Sequence, residues 1–187
     1  NYLAAVLRAK GRYGLAYIEH STGEFRLVEF SDRGALDDEL ARLRPSELLF
    51  SEEQAAEFDL LPRAQAYDAY SFFHEQAEYT LKRHFKVQSL DGYGCAGLVP
   101  AVGAAGAILH YVETQLRRSV GHLRTLQAYR TETHLLIDAA SQANLDLVTS
   151  RSGGVKSSLL GALDRTKTPM GARKLRHWLL HPLRDLP

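Results

Sequence analysis

Cysteine is nearly absent: Cys95 stands alone in 187 residues. No internal disulfide can form, and with no CxxC partner the thiol has no sequence cue for activation, so it reads as a small buried residue. An excess of charge is missing too, since 23 basic and 22 acidic side chains leave a net +1. That balance gives no electrostatic footprint for nucleic acid, and the chain by itself is expected to bind DNA poorly. No apolar run approaches the roughly 18 to 20 residues a membrane span needs, and no signal-like start is present. A cytoplasmic location is the economical expectation. What remains is enough chain for one domain and part of another.

Tyr2 to Leu7 is apolar and Tyr13 to Ile18 is rich in aromatic and branched residues, with Gly11 between them, which predicts a hairpin. Ser21-Thr22-Gly23 marks a second turn, and Phe25, Leu27 and Phe30 continue the meander as a third antiparallel strand. From a cap at Ser31, the residues Leu36, Leu40 and Leu43 share one helical face that Pro45 closes. Leu48, Leu49 and Phe50 suit a buried parallel strand, because the preceding helix supplies the crossover. Residues 51–73 include Pro62 and show no clean period, so loops with short helical pieces are expected there.

Tyr79, Leu81 and Phe85 predict a helix, and a turn at Gly92 and Gly94 separates it from a longer one over 102–118 whose small residues permit close packing. Around Gly121 the pattern turns wholly helical, with helices expected over 135–147 and 157–163. A final helix is the best punctuated. Thr168 is its N-cap, Pro169 sits at the first helical position, and Pro182 stops it near Leu180 or His181. Leu175, Trp178 and Leu179 share its apolar face, with Trp178 expected in the core.

Three constellations invite chemistry, and each has a plainer reading. Ser152-Gly153-Gly154-Val155-Lys156-Ser157-Ser158 resembles a phosphate loop only faintly, since Val155 stands where such a loop needs glycine; a flexible turn with a serine cap is expected. His177 and His181 have the four-residue spacing of two zinc ligands, but no glutamate follows His177 and no third ligand is near, while cations suit a helix C-terminus anyway. Lys167, Arg173, Lys174, Arg176 and Arg184 form the densest basic cluster, read as solvated and salt-bridging groups whose stems cover apolar surface. No catalytic, cofactor-binding or metal-ligating residue is therefore assigned.

The residue order of the last helix, Thr168-Pro169-Met170-Gly171 through Arg173, Leu175, Arg176, Trp178 and Leu179 to Pro182 and Leu183, exceeds what capping and amphipathicity require. It resembles the helical core of the MutS mismatch-repair family. Five further stretches match in the same order: Tyr13-Gly14-Leu15-Ala16-Tyr17 with Ser21-Thr22-Gly23-Glu24-Phe25, then Arg44-Pro45-Ser46-Glu47-Leu48-Leu49, Leu90-Asp91-Gly92-Tyr93-Gly94, Ala104 to Tyr111, and Leu136-Ile137-Asp138 with Asn144-Leu145-Asp146-Leu147. The family has basic residues just before that Asn-Leu pair, where this chain has Gln142 and Ala143.

The resemblance implies an α/β ribonuclease-H-like connector domain, a mixed sheet with flanking helices, over 1–120. The beginning of an all-α core or lever domain follows over 121–187, incomplete. Nothing matches the family's mismatch-reading N-terminal domain, DNA clamp or ATPase, so the chain is expected to be an internal piece starting at Asn1. It further implies a non-catalytic module that links mismatch reading to clamp and ATPase, relays ATP-dependent change, and docks a MutL-type partner through 77–85 or the connector's exposed edge. ATP, Mg²⁺, mismatched double-stranded DNA and homodimerisation belong to the parent protein on this reading. Two alternatives stand beside it. One is a scaffold; the other is a divergent ribonuclease-H-like metal-dependent nuclease using Glu19 or Glu29. Against the nuclease, Tyr2 to Leu7 carries no carboxylate, and Glu24 and Glu29 point to opposite faces of one strand. An apolar face lacking some of its cover also predicts that the part after about 120 is less ordered alone or self-associates.

Overall fold

A computed structural model describes residues 2–117, 120–129, 137–150, 152–180 and 182. The chain opens with the expected meander, β1 (Tyr2–Ala9), β2 (Arg12–Glu19) and β3 (Glu24–Phe30), paired antiparallel with Tyr2 opposite Glu19 and Glu19 opposite Glu24. Gly11 and Gly23 take the positive φ that the two turns demand. Helix α1 (Arg33–Leu43) crosses over to β4 (Glu47–Ser51), which lies parallel to β1. Its cap is Asp32 rather than the expected Ser31: the Asp32 carboxylate accepts from the Ala35 N–H at 2.9 Å, at the spacing an N-cap requires.

The stretch expected to be loops holds one more strand. After the short α2 (Ala55–Phe58), β5 (Ala64–Tyr67) pairs parallel with β4. Helix α3 (His74–Phe85) and helix α4 (Val99–Thr114) follow, then β6 (Gln127–Ala128), parallel to β3. The order is β5-β4-β1-β2-β3-β6, a mixed sheet in which β2 alone runs against the others.

Alternation along the strands sends Leu3, Ala5, Leu7, Ala16, Ile18, Phe25 and Leu27 to one face, where they form a core with Ala77, Leu81 and the buried residues of α4. Each fully buried leucine there contributes about 1.5–3 kcal/mol. The small residues of α4 serve that contact. Gly103 lies against Leu7 and the Phe72 carbonyl, and Gly106 lies against Ala77. The opposite face carries Phe50, whose ring meets Phe58 of α2 at 6.3 Å.

The wholly helical character expected from Gly121 does not begin there. Val120, Leu123 and Leu126 join the sheet's core, the Leu123 carbonyl meets His84 Nε2 at 2.7 Å, and β6 comes after them. These side chains anchor an irregular segment on the sheet. Contacts divide the chain into one unit of residues 1–37 with 43–129 and another of 38–42 with 130–187.

In the second unit α5 (Ala139–Asn144) is capped by Asp138, α6 (Leu159–Leu163) by Ser158 and α7 (Pro169–Leu180) by Thr168, whose hydroxyl accepts from the Gly171 N–H at 3.1 Å. The Leu159 and Leu160 N–H groups donate to the carbonyls of Asp146 and Leu147, both at 2.9 Å, fastening the start of α6 to the end of the α5 segment. The helix expected over 135–147 is shorter as seen, and Leu135 and Leu136 lie outside the described residues. Trp178 is 61% exposed, contrary to expectation, with Lys174 Nζ 5.8 Å from its ring centre, while His177 and Leu180 are the buried residues of α7. Apolar side chains on a helix need not all face inward.

Candidate docking helix and the ionisable groups around it

Helix α3 turns Ala77, Thr80 and Leu81 into the core and leaves Tyr79 60% exposed. Arg83, one turn on, lies with its guanidinium carbon 5.9 Å from the Tyr79 ring centre, and its Nη2 is 2.9 Å from Glu113 of α4. Lys82 and Glu78 form a further pair at 2.8 Å. The helix ends at Lys86 in a left-handed conformation with φ 57°. An aromatic ring held flat by a cation on a rigid helix is the composition of a contact surface, because its burial needs little further loss of side-chain freedom. Tyr79 was legible as a helix residue but was grouped with Leu81 and Phe85, which are turned toward the core.

The exposed edge is β5. Its Tyr67 hydroxyl meets His110 Nδ1 at 2.8 Å and Thr114 Oγ1 at 3.2 Å, while the Gln65 amide donates to the Tyr111 hydroxyl at 3.0 Å and both Gln65 and Tyr111 donate to Glu47. These side-chain bonds hold the edge strand against α4.

Of the carboxylates considered for metal chemistry, Glu19 and Glu24 lie opposite each other across β2 and β3, while Glu29 stands near the other end of β3. Glu29 accepts from Arg12 Nε at 2.9 Å and lies 3.5 Å from the Ala101 N–H at the start of α4. Glu24 pairs with Arg26 at 2.8 Å. Among the described residues no three His, Cys, Asp or Glu converge as ligands. Cys95 is buried, donates weakly to the Tyr93 carbonyl at 3.8 Å, and burial, with Asp91 nearby, pushes its thiol up to about 11. His181 and Arg184 fall outside the described residues. Ser150 and Gly154 close a backbone bridge under the Ser152–Ser158 loop, and a Cβ on Gly153 would lie 2.0 Å from Ser157 Oγ.

Glu19 is fixed differently. It is 5% exposed and accepts from the Ser21 hydroxyl at 2.6 Å and the Thr22 N–H at 2.7 Å. Burial pushes its carboxyl up, but those donors outweigh burial and hold it down at about 2 from an ordinary 4.5. A depressed folded pKa contributes stability that is complete above the ordinary value and is lost as pH falls toward the folded one. Glu19→Gln is therefore expected to cost about 2 to 3 kcal/mol at neutral pH and to flatten the acid limb of stability below about pH 4.5. Urea unfolding of both proteins across that range reads the effect, and parallel acid limbs would contradict it.

The family model for MutS domain II matches residues 1–124, and that for MutS domain III matches residues 140–187. The DNA mismatch repair protein MutS of Protochlamydia amoebophila is 37% identical over 193 residues, covering 98% of this chain and 22% of that protein. The corresponding MutS of Acaryochloris marina is 41% identical over 207 residues, covering 100% of this chain and 23% of its own length. That of Chlamydia abortus is 40% identical over 195 residues, with 99% and 24% covered. Each of these three is named as a DNA mismatch repair protein. The chain belongs to the MutS family, and it spans about a quarter of the length of the relatives it matches.

Proposed function

We propose that this chain is a non-catalytic relay and docking module of a cytoplasmic mismatch repair protein, and that its first unit is a ribonuclease-H-like connector. The sheet order with β2 alone reversed supports that name. In the parent, the chain joins the mismatch-reading part to the DNA clamp and ATPase; mismatched double-stranded DNA, ATP with Mg²⁺ and a second protomer are bound elsewhere in that protein. The partner docked here is of MutL type. The observation that carries the reading is Tyr79, exposed on a helix whose opposite face is buried in the sheet's core and braced by Arg83. The commitment of Glu19 and Glu29 to Ser21, Thr22 and Arg12 supports the absence of catalysis.

Paired substitution of Tyr79→Ala and Arg83→Glu tests the surface. It is expected to weaken MutL binding by about tenfold or more, as loss of an aromatic anchor with charge reversal does. The unfolding midpoint should stay within the range typical of exposed sites. Unchanged affinity with an intact fold would rule out α3 as the docking helix.

A further inference from the structure

Strand β5 stands at one end of the sheet order, and no described residue pairs with its outer side. Which of its main-chain groups face outward follows from the register. Leu48 lies beside Ala64 and Phe50 beside Ala66, and the Leu48 N–H donates to the Arg63 carbonyl at 3.0 Å. In a parallel pair alternate residues of one strand bond the neighbouring strand, and those between them face away from it. Arg63, Gln65 and Tyr67 therefore serve β4, while the Ala64 carbonyl and both the N–H and the carbonyl of Ala66 point out of the sheet. The Ala64 N–H fits this alternation, being turned back onto the Leu61 carbonyl at 3.2 Å.

Edges of this kind are ordinarily blunted by a proline, a charged side chain, a bulge or a covering element. β5 contains neither proline nor charge, its register with β4 runs without a bulge, and Ala66 is exposed. The strand is also held rigid. Gln65 and Tyr67 are tied by their side chains to Glu47, Tyr111, His110 and Thr114, so the edge has little freedom left to lose on binding. On the opposite face Ala64 and Ala66 end at a methyl, which leaves room beside them for a larger side chain. Leu60, in the turn before the strand, is 98% exposed.

An outward row of carbonyl, N–H and carbonyl at strand spacing is complementary to the backbone of another extended chain. We infer that β5 takes up an extended segment of a partner polypeptide as a further, antiparallel strand. One residue of that segment exchanges two hydrogen bonds with Ala66, and its second neighbour donates to the Ala64 carbonyl. The antiparallel sense suits so short a strand, because a single residue then satisfies both outward groups of Ala66. A second copy of this chain is the poorer occupant. Two β5 strands meeting about Ala66 would set alanine against alanine, the baseline from which cross-strand pairs gain. A β-branched or aromatic residue opposite Ala66 buries area that an alanine cannot, so the segment is bulky and apolar at that position. Nothing in this binding involves Tyr79 or Arg83 of α3.

The probe is a short peptide alternating threonine and valine between terminal lysines, acetylated and amidated, titrated into the 187-residue chain and followed by amide NMR. Saturable shifts centred on 64–68 and led by the Ala66 N–H are expected, with a dissociation constant on the order of millimolar, as befits a few main-chain bonds. N-methylating the valines removes donors but keeps the side chains, and should weaken binding at least about fivefold. Ala66→Pro should weaken it as much, since that N–H takes no part in the β4 ladder and such edge positions accept proline. Exchanging the valines for alanine should weaken binding at least about threefold. Shifts absent from 64–68, equal binding of the N-methylated or alanine peptide, or equal binding by a folded Ala66→Pro chain would each overturn the assignment. Should Ala66→Pro fail to fold, the N-methylated peptide still decides. Shifts of the same residues that grow with protein concentration alone would give the edge to a second copy and overturn it too.

Discussion

Replacing Gly106 with alanine is expected to destabilise the first unit by about 3 kcal/mol or more, at the top of the range for overpacked cores. A Cβ there would sit 2.3 Å from both Cα and Cβ of Ala77, so two helices would have to separate before the extra methyl fits. The same helix is pinned at its start: a Cβ on Gly14 would lie 2.2 Å from the Pro100 carbonyl carbon and 2.3 Å from the Ala101 nitrogen. Backbone cannot yield as a flexible side chain can, so Gly14→Ala should cost as much. Gly92 is the control. It has nothing within 4 Å and a φ outside the left-handed region, so Gly92→Ala should change stability by no more than about 1 kcal/mol, with gain favoured through the unfolded chain. Denaturant unfolding of the three variants reads the contrast, and similar midpoints for all three would contradict this account of α4.

Glu39→Ala is the second large effect. Glu39 and Arg42 are 1% and 5% exposed; Arg42 Nε donates to Glu39 at 2.9 Å and Nη2 contacts its other oxygen. Arg42 Nη1 also reaches the Leu180 carbonyl at 3.4 Å, one of the acceptors that the end of α7 cannot satisfy within the helix. Removing one member of a buried pair leaves a desolvated charge and costs about 3–5 kcal/mol, whereas exchanging both for apolar residues of similar size can be nearly neutral. Glu39→Leu with Arg42→Met should therefore recover most of the loss. The exposed pair Arg33–Asp37, at 2.8 Å on the same helix, is expected to be worth less than about 1 kcal/mol. Thermal unfolding of the single and double variants decides it, and a double variant less stable than Glu39→Ala would contradict it.

The strands of the meander and β4 were legible because alternation and apolar runs mark them, and Thr168 with Pro169 marked the start of α7. β5 was not, since Ala64-Gln65-Ala66-Tyr67 has no period and only one strong strand former; it exists because β4 offers an open ladder. β6 has two residues, too few for any pattern. Ser31 and Asp32 are adjacent plausible caps, and only geometry separates them. On α7, amphipathic reasoning grouped Trp178 with Leu175 and Leu179, but the inward position went to His177.

Titration of the 187-residue chain with a MutL protein, followed by calorimetry beside a full-length MutS, tests the docking role most directly. Saturable binding by the chain, lost on Tyr79→Ala with Arg83→Glu, is the outcome expected. Binding by full-length MutS with none by the chain would contradict it.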